Sequence, residues 1–251
     1  MERTMGYRTV KGLNRLINGV IALILIIALF YAGYALWDTW SILNGSDSLT
    51  KKLADDFPDS FEDLLAMNPD VCAWITIDGT EINHVVVQGE DNYTYLDRDV
   101  YGSYSVAGTI FLDSDNSRDF TDSYSILMGH HMQGGAMFGD IDLFLEESFF
   151  EENTTGTLYL PDRTLSLETV AVIQADAYDR TVYGVPVRTD EGFTSLAARI
   201  EELALHTRST SLTQGDQIVA LSTCSSDYTN ARILLICRVT GENMAGLGSE
   251  D

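Results

Sequence analysis

A lone cysteine, Cys224, closes the apolar run QIVALSTC, and Arg232 opens the next one, RILLICRV. A thiolate is a strong nucleophile, but it needs a nearby cation or imidazole to form readily. If the two runs form a hairpin, residues 224 and 232 fall on adjacent strands. A guanidinium there can reach an oxyanion forming beside the sulfur. Asp227 and Asn230 suit the turn between them. A proton carrier must come from elsewhere, and MGHHMQGGAMFGD offers His130 and His131, just past the apolar run SYSILM. Adjacent side chains alternate in direction, so at most one of the two can face a given cleft. Position alone leaves Cys224 open between a nucleophile and a small buried residue. Cys72 and Cys237 lie within apolar runs and read as core. His84 and His206 read as ordinary surface histidines.

Two classes of function lose support from composition. The formal net charge of −23 opposes a nucleic-acid partner, because phosphate binding needs a basic face. The three cysteines form no C-x-x-C, which removes the usual basis for a zinc or thioredoxin-like site. Asp113, Asp115, Ser117 and Asp119 alternate like calcium ligands. The EF-hand pattern then wants Gly and Glu where Arg118 and Tyr124 stand, so a solvated loop is the reading. Neither a metal nor a cofactor is expected.

Residues 16–37, LINGVIALILIIALFYAGYALW, carry no charge. Such a run spans roughly 30 Å of hydrocarbon as a helix. Arg3, Arg8, Lys11 and Arg15 precede it, Asp38 and Asp47 follow, and Trp37 and Trp40 mark one end. The positive-inside rule puts residues 1–15 in the cytoplasm and the rest outside. The run is too long for a cleaved signal peptide, and no A-x-A-like site follows it. Residues 38–70 read as a helical connector with Leu53, Phe57, Phe61, Leu64 and Leu65 at helical spacing, interrupted by Pro58.

From Val71 the period changes. VCAWITIDGTEINHVVVQ reads as two strands about an Asp78-Gly79 turn. GTIFLD, SYSILMG, TGTLYLPD, LSLETVAVIQAD, DQIVALSTC and ARILLICRVT continue the series. The pattern predicts a mainly β fold, a closed barrel of about eight strands over residues 71–242. One inserted helix is expected over 193–209, where Leu196, Ile200 and Leu203 share a face. Residues 243–251 read as a tail.

In order along the chain, GHH at 129–131, LSTC at 221–224 and Arg232 resemble the sortase family, the membrane-anchored cysteine transpeptidases of Gram-positive bacteria. AWITIDGTEINHVVVQ, QGEDNYTYL, GTIFLD and GHHMQGGAMFGDI are similar to class B members, and the likeness covers most of residues 53–240. The resemblance implies Cys224 as nucleophile, His130 as the family histidine and Arg232 as the family arginine. It implies that Asn92, Leu96 and Ser222 line the substrate groove. Ala220 departs from the T-L-x-T-C of many members, at a position that does not touch the scissile bond. The implied reaction cuts a C-terminal sorting signal of secreted proteins after Thr and passes the acyl group, through a thioester, to an amine. That amine belongs to a peptidoglycan cross-bridge or a pilin. Two other readings stay open: a cysteine peptidase that gives the same acyl group to water, and a catalytically silent anchored module. The sorting motif, N-P-x-T-x or L-P-x-T-G-like, is not written in the chain.

Overall fold

The computed structural model describes residues 12–37, 61–184, 189–208, 212–224 and 230–244. The first of these segments is one helix, α1 (Gly12–Trp37), 26 residues long, with no charged residue after Arg15. At 1.5 Å per residue it is about 39 Å long, ample for a bilayer core, and it fits a single-pass membrane anchor. The second compact unit, from Leu49 onward, carries everything else. The part of the connector expected over 38–60 lies outside the described residues.

Among the described residues, nine strands form one sheet: β1 (Val71–Ile77), β2 (Asn83–Val87), β3 (Ile110–Leu112), β4 (Tyr124–Met128), β5 (Thr155–Tyr159), β6 (Thr164–Asp176), β7 (Ala204–Thr207), β8 (Ile218–Cys224) and β9 (Ala231–Asn243). Their order is β5-β1-β2-β3-β4-β8-β9-β6-β7, and β5 also pairs with β6. That extra pairing closes eight strands into a barrel and removes the open edges a flat sheet would leave. β7 extends the sheet beyond the closure, pairing with the second half of β6.

The apolar runs are continuous because both faces of the strands are covered. On β8 and β9, Val219, Leu221, Ile233, Leu235 and Cys237 fill the barrel interior. Ile218, Ala220, Leu234 and Ile236 pack outward on a helix, α4 (Asp190–Leu203), through Phe193, Leu196 and Ile200. A second helix, α2 (Phe61–Met67), buries Phe61 and Leu64 with Trp74, Val85, Tyr95 and Phe111 on another face. The interior is completed by Phe138, Ile141, Phe144 and Phe150. Phe138 leads into 3-10 turns at Gly139–Leu145 that carry Ile141 and Phe144, and Phe150 lies on a short helix, α3 (Glu147–Glu152).

Two expectations need correcting. The helix expected over 193–209 stops at Leu203, and Ala204–Thr207 is a strand. ALHT has its backbone taken up by β6, with Val172 opposite His206 and Ala171 opposite Thr207; tertiary pairing overrides a weak local helical pattern. The tail expected from 243 starts later. Asn243 still pairs with Thr164, and residues 245–251 lie outside the described residues.

Candidate active site

Two pairings of β8 assemble the site. β4 runs parallel to β8 with Met128 opposite Ser222, and Gly129 N donates to Ser222 O at 3.1 Å. The chain leaving β4 toward His130 therefore follows the chain leaving β8 through Thr223 and Cys224. On the other side β9 is antiparallel to β8, and Cys224 and Arg232 are direct partners in its register. Directly paired Cα atoms lie about 4.5–5.5 Å apart. Positions 224 and 232 thus sit on paired strands at one rim of the barrel, and position 130 lies two residues past the end of the neighbouring β4. The side chain of Cys224 and residues 225–229, including the expected turn residue Asp227, lie outside the described residues. Asn230 adopts a left-handed φ of 75°, a conformation asparagine tolerates well.

A groove of about 450 Å³ opens at this rim. His130, Arg232, Asn92, Leu96 and Ser222 all line it, with Asp113, Thr223 and Tyr183. His130 is half-buried, and its Nε2 lies 2.8 Å from the Leu96 carbonyl oxygen. A carbonyl only accepts, so Nε2 carries the proton, and in the neutral ring Nδ1 is the basic nitrogen. Arg232 is half-buried. Its Nη1 donates to the carbonyl of Ala231 at 3.0 Å, and no carboxylate pairs with it among the described residues. A guanidinium with donors to spare, at the end of the strand partnering residue 224, suits a developing negative charge.

The neighbouring histidine is used differently. His131 Nε2 meets Asp142 Oδ2 at 2.7 Å, both side chains partly exposed, and it is not among the groove's lining residues. The expectation that only one of the pair can face a cleft is met by His130.

Ser222 is 3% exposed, and its hydroxyl shares a 2.7 Å hydrogen bond with that of Tyr183. Asn92 is held on both ends of its amide: Nδ2 donates to Asp113 Oδ2 at 3.1 Å, and Oδ1 accepts from Ser114 N at 2.8 Å. Burial pushes the Asp113 carboxyl above its ordinary range, against lowering by the Asp115 N–H and Asn92. The sequence marks Tyr183 in no way, and it marks Asp113 only within an alternating acidic run read as a solvated loop, whereas both line the groove. Each sits in a turn-rich stretch where nothing local points toward a groove.

The loop after β3 departs from a simple solvated one. Asn116 is 7% exposed. Its Nδ2 donates to Asp122 and to the Tyr124 carbonyl, and its Oδ1 accepts from Ile126 N. The side chain satisfies strand-end backbone groups that would otherwise be buried unpaired. His84 is likewise not on the surface. It is 5% exposed, with Nε2 at 3.0 Å from the Met137 carbonyl, because β2 is covered on both faces. His206 is half-buried and stacks on Phe150.

Cys72 and Cys237 are buried, as expected. Burial pushes both thiols up to about 12, so at neutral pH they stay protonated and unreactive. Brief treatment of the folded chain with a maleimide or iodoacetamide should modify neither, and mass mapping should place the label at Cys224 alone. Labelling of Cys72 or Cys237 before unfolding would contradict their burial.

No family model matches the chain. Curated and solved relatives do. Sortase B of Listeria monocytogenes is 29% identical over 194 residues, covering 75% of this chain and 77% of the relative. The crystal structure of Clostridium perfringens sortase B superposes with a TM-score of 0.68 at 33% identity, over 72% of this chain and all of that one. A Streptococcus pyogenes class B sortase involved in pilus biogenesis gives 0.65 at 36% identity, over 72% and 97%. Identity at this level across an entire solved relative, on the same closed barrel, leaves one conclusion: the chain belongs to the class B sortases, a family of cysteine transpeptidases.

Proposed function

We propose that the chain cleaves a C-terminal sorting signal of secreted proteins after Thr and transfers the acyl group to a primary amine. The carrying observation is that position 130, just past the end of β4, lies beside the β8–β9 pair of positions 224 and 232, with His130 and Arg232 lining one groove. In this reading the Cys224 thiolate attacks the carbonyl carbon of the Thr–X bond. Arg232 donates to the oxygen as it becomes negative. The C–N bond then breaks, and His130 gives a proton from Nδ1 to the departing amine. Doing so leaves the Nε2–H tautomer, the form the Leu96 carbonyl holds.

A thioester now joins substrate to enzyme. The incoming amine attacks it, His130 takes the amine's surplus proton, and the thiolate departs. One amide is broken and one is made, so no external energy source is needed. Asn92, Leu96 and Ser222 contact the peptide in the groove. The acceptor is a peptidoglycan cross-bridge amine or a pilin lysine.

The unit over residues 71–242 is the catalytic domain. Residues 1–15 are cytoplasmic, residues 16–37 span the membrane, and residues 38–70 connect the anchor to the domain. The cationic flank before α1 supports that orientation.

A labelled peptide library carrying N-P-x-T-x and L-P-x-T-G-like signals, with glycine oligomers or a lysine amide added, tests this reading. A new amide should form and displace hydrolysis as amine rises. Hydrolysis alone at saturating amine would make the chain a peptidase. No cleavage of any signal would leave a silent binding module.

A further inference from the structure

The groove is completed by a loop whose role lies in its neck. Between Tyr95 and Thr109 the chain makes a closed excursion. Thr109 N donates to the Tyr95 carbonyl at 3.0 Å, Ser105 N to Asp97 O at 2.9 Å, and Gly108 N to Ser105 O at 3.1 Å. Thr109 Oγ1 ties the same neck to the Arg98 carbonyl at 2.8 Å. Within this neck lies Leu96, whose carbonyl accepts from His130 Nε2. The orientation of a ring just past the end of β4 is therefore set by backbone from a loop that precedes β3.

Gly108 is what lets the neck close. Its φ is +63°, and a Cβ there would fall 2.6 Å from both the Leu96 and Tyr95 carbonyl oxygens and 3.0 Å from the Leu96 carbonyl carbon. All three neighbours are backbone atoms, so no rotamer change relieves the contact. Gly102, in the same loop, has a similar φ of +78° but nothing within 4 Å of its would-be Cβ. The two glycines thus separate backbone strain from displacement of the carbonyl.

We propose that Gly108 is a positioning residue for His130, keeping the Leu96 carbonyl where it fixes the imidazole in its Nε2–H tautomer. Its effect on turnover rests on His130 being the proton carrier proposed above. The effect on the ring does not.

The test uses the full chain in detergent micelles with 15N-labelled histidine rings. His130 is assigned by the signal lost in His130→Gln. Wild type should show a protonated Nε2. Gly102→Ala should keep that signal and wild-type turnover of the best library peptide. Gly108→Ala should lose or shift it. Its kcat should fall about tenfold or more, part of the 10²–10⁴ a positioned acid–base group supplies, with KM little changed.

An unaltered His130 signal in Gly108→Ala, or equal loss in both alanine variants, overturns the proposal. If Gly108→Ala does not fold, Thr109→Val loosens the same neck without touching φ. It should perturb the ring signal, and Thr109→Ser should restore it; a wild-type signal in Thr109→Val would then overturn the proposal. If wild type cleaves no peptide, the reaction is misassigned, and the ring spectrum alone decides the role of Gly108.

Discussion

Cys224→Ala should abolish both cleavage and transfer while leaving the melting temperature close to that of the wild type. Loss of a covalent nucleophile removes the whole two-step route, and the expected fall in kcat is on the order of 10⁵–10⁶-fold. The substitution removes one sulfur at the end of β8, where the backbone pairing with Arg232 does not depend on the side chain. No acyl-enzyme should be trapped by denaturing mass spectrometry after mixing with peptide. In the wild type an adduct should appear when amine is withheld, with the mass of the acyl fragment on the peptide containing residue 224. Retention of more than about a hundredth of wild-type turnover in Cys224→Ala would sink covalent catalysis through this thiol, since water attack aided by the remaining groups is far slower.

The second large effect concerns Arg232. Arg232→Lys should keep the charge and still reduce kcat by about 10²–10³-fold, the size seen when one oxyanion donor is lost. The guanidinium presents a planar fork from a fixed strand position, and with one Nη1 bond to the Ala231 carbonyl it keeps other N–H groups for a substrate oxygen. An ammonium cannot reproduce two directed donors from that backbone site. Because the oxyanion exists only near the transition state, KM should change much less than kcat. A Lys variant with a raised KM and unchanged kcat would instead place Arg232 in ground-state peptide binding.

The barrel was legible because strand runs announce themselves. Every expected β segment between Val71 and Val239 became a strand, since β-branched and aromatic residues bounded by Gly, Asp and Pro have few alternatives. The site's frame was legible for the same reason: a Cys ending one run and an Arg opening the next implied a hairpin, and the observed register pairs them. What the sequence could not show was long-range partnership. Nothing in the RTVYG or DSDN stretches announces that Tyr183 will reach Ser222 or that Asp113 will clamp Asn92. Such contacts join segments far apart in the chain, and short polar side chains in turns look alike whether they face water or a groove. His84 misled for a related reason, because the pattern of a strand buried on both faces does not say which polar residue finds a carbonyl inside. The strand at Ala204–Thr207 was hidden by a helix-favouring context that β6 overrode.

The parallel alignment of β4 with β8 carries a consequence for the life history of the protein. Parallel neighbours cannot be joined by a tight turn, and here β5, β6, α4 and β7 all intervene in the chain. Contacts of such high sequence separation form late and slowly during folding. The imidazole-bearing segment and the thiol-bearing segment therefore meet only when the last third of the polypeptide has been laid down. In the proposed mechanism a half-synthesised copy is therefore idle, because the pairing of β4 with β8 waits for both strands to exist.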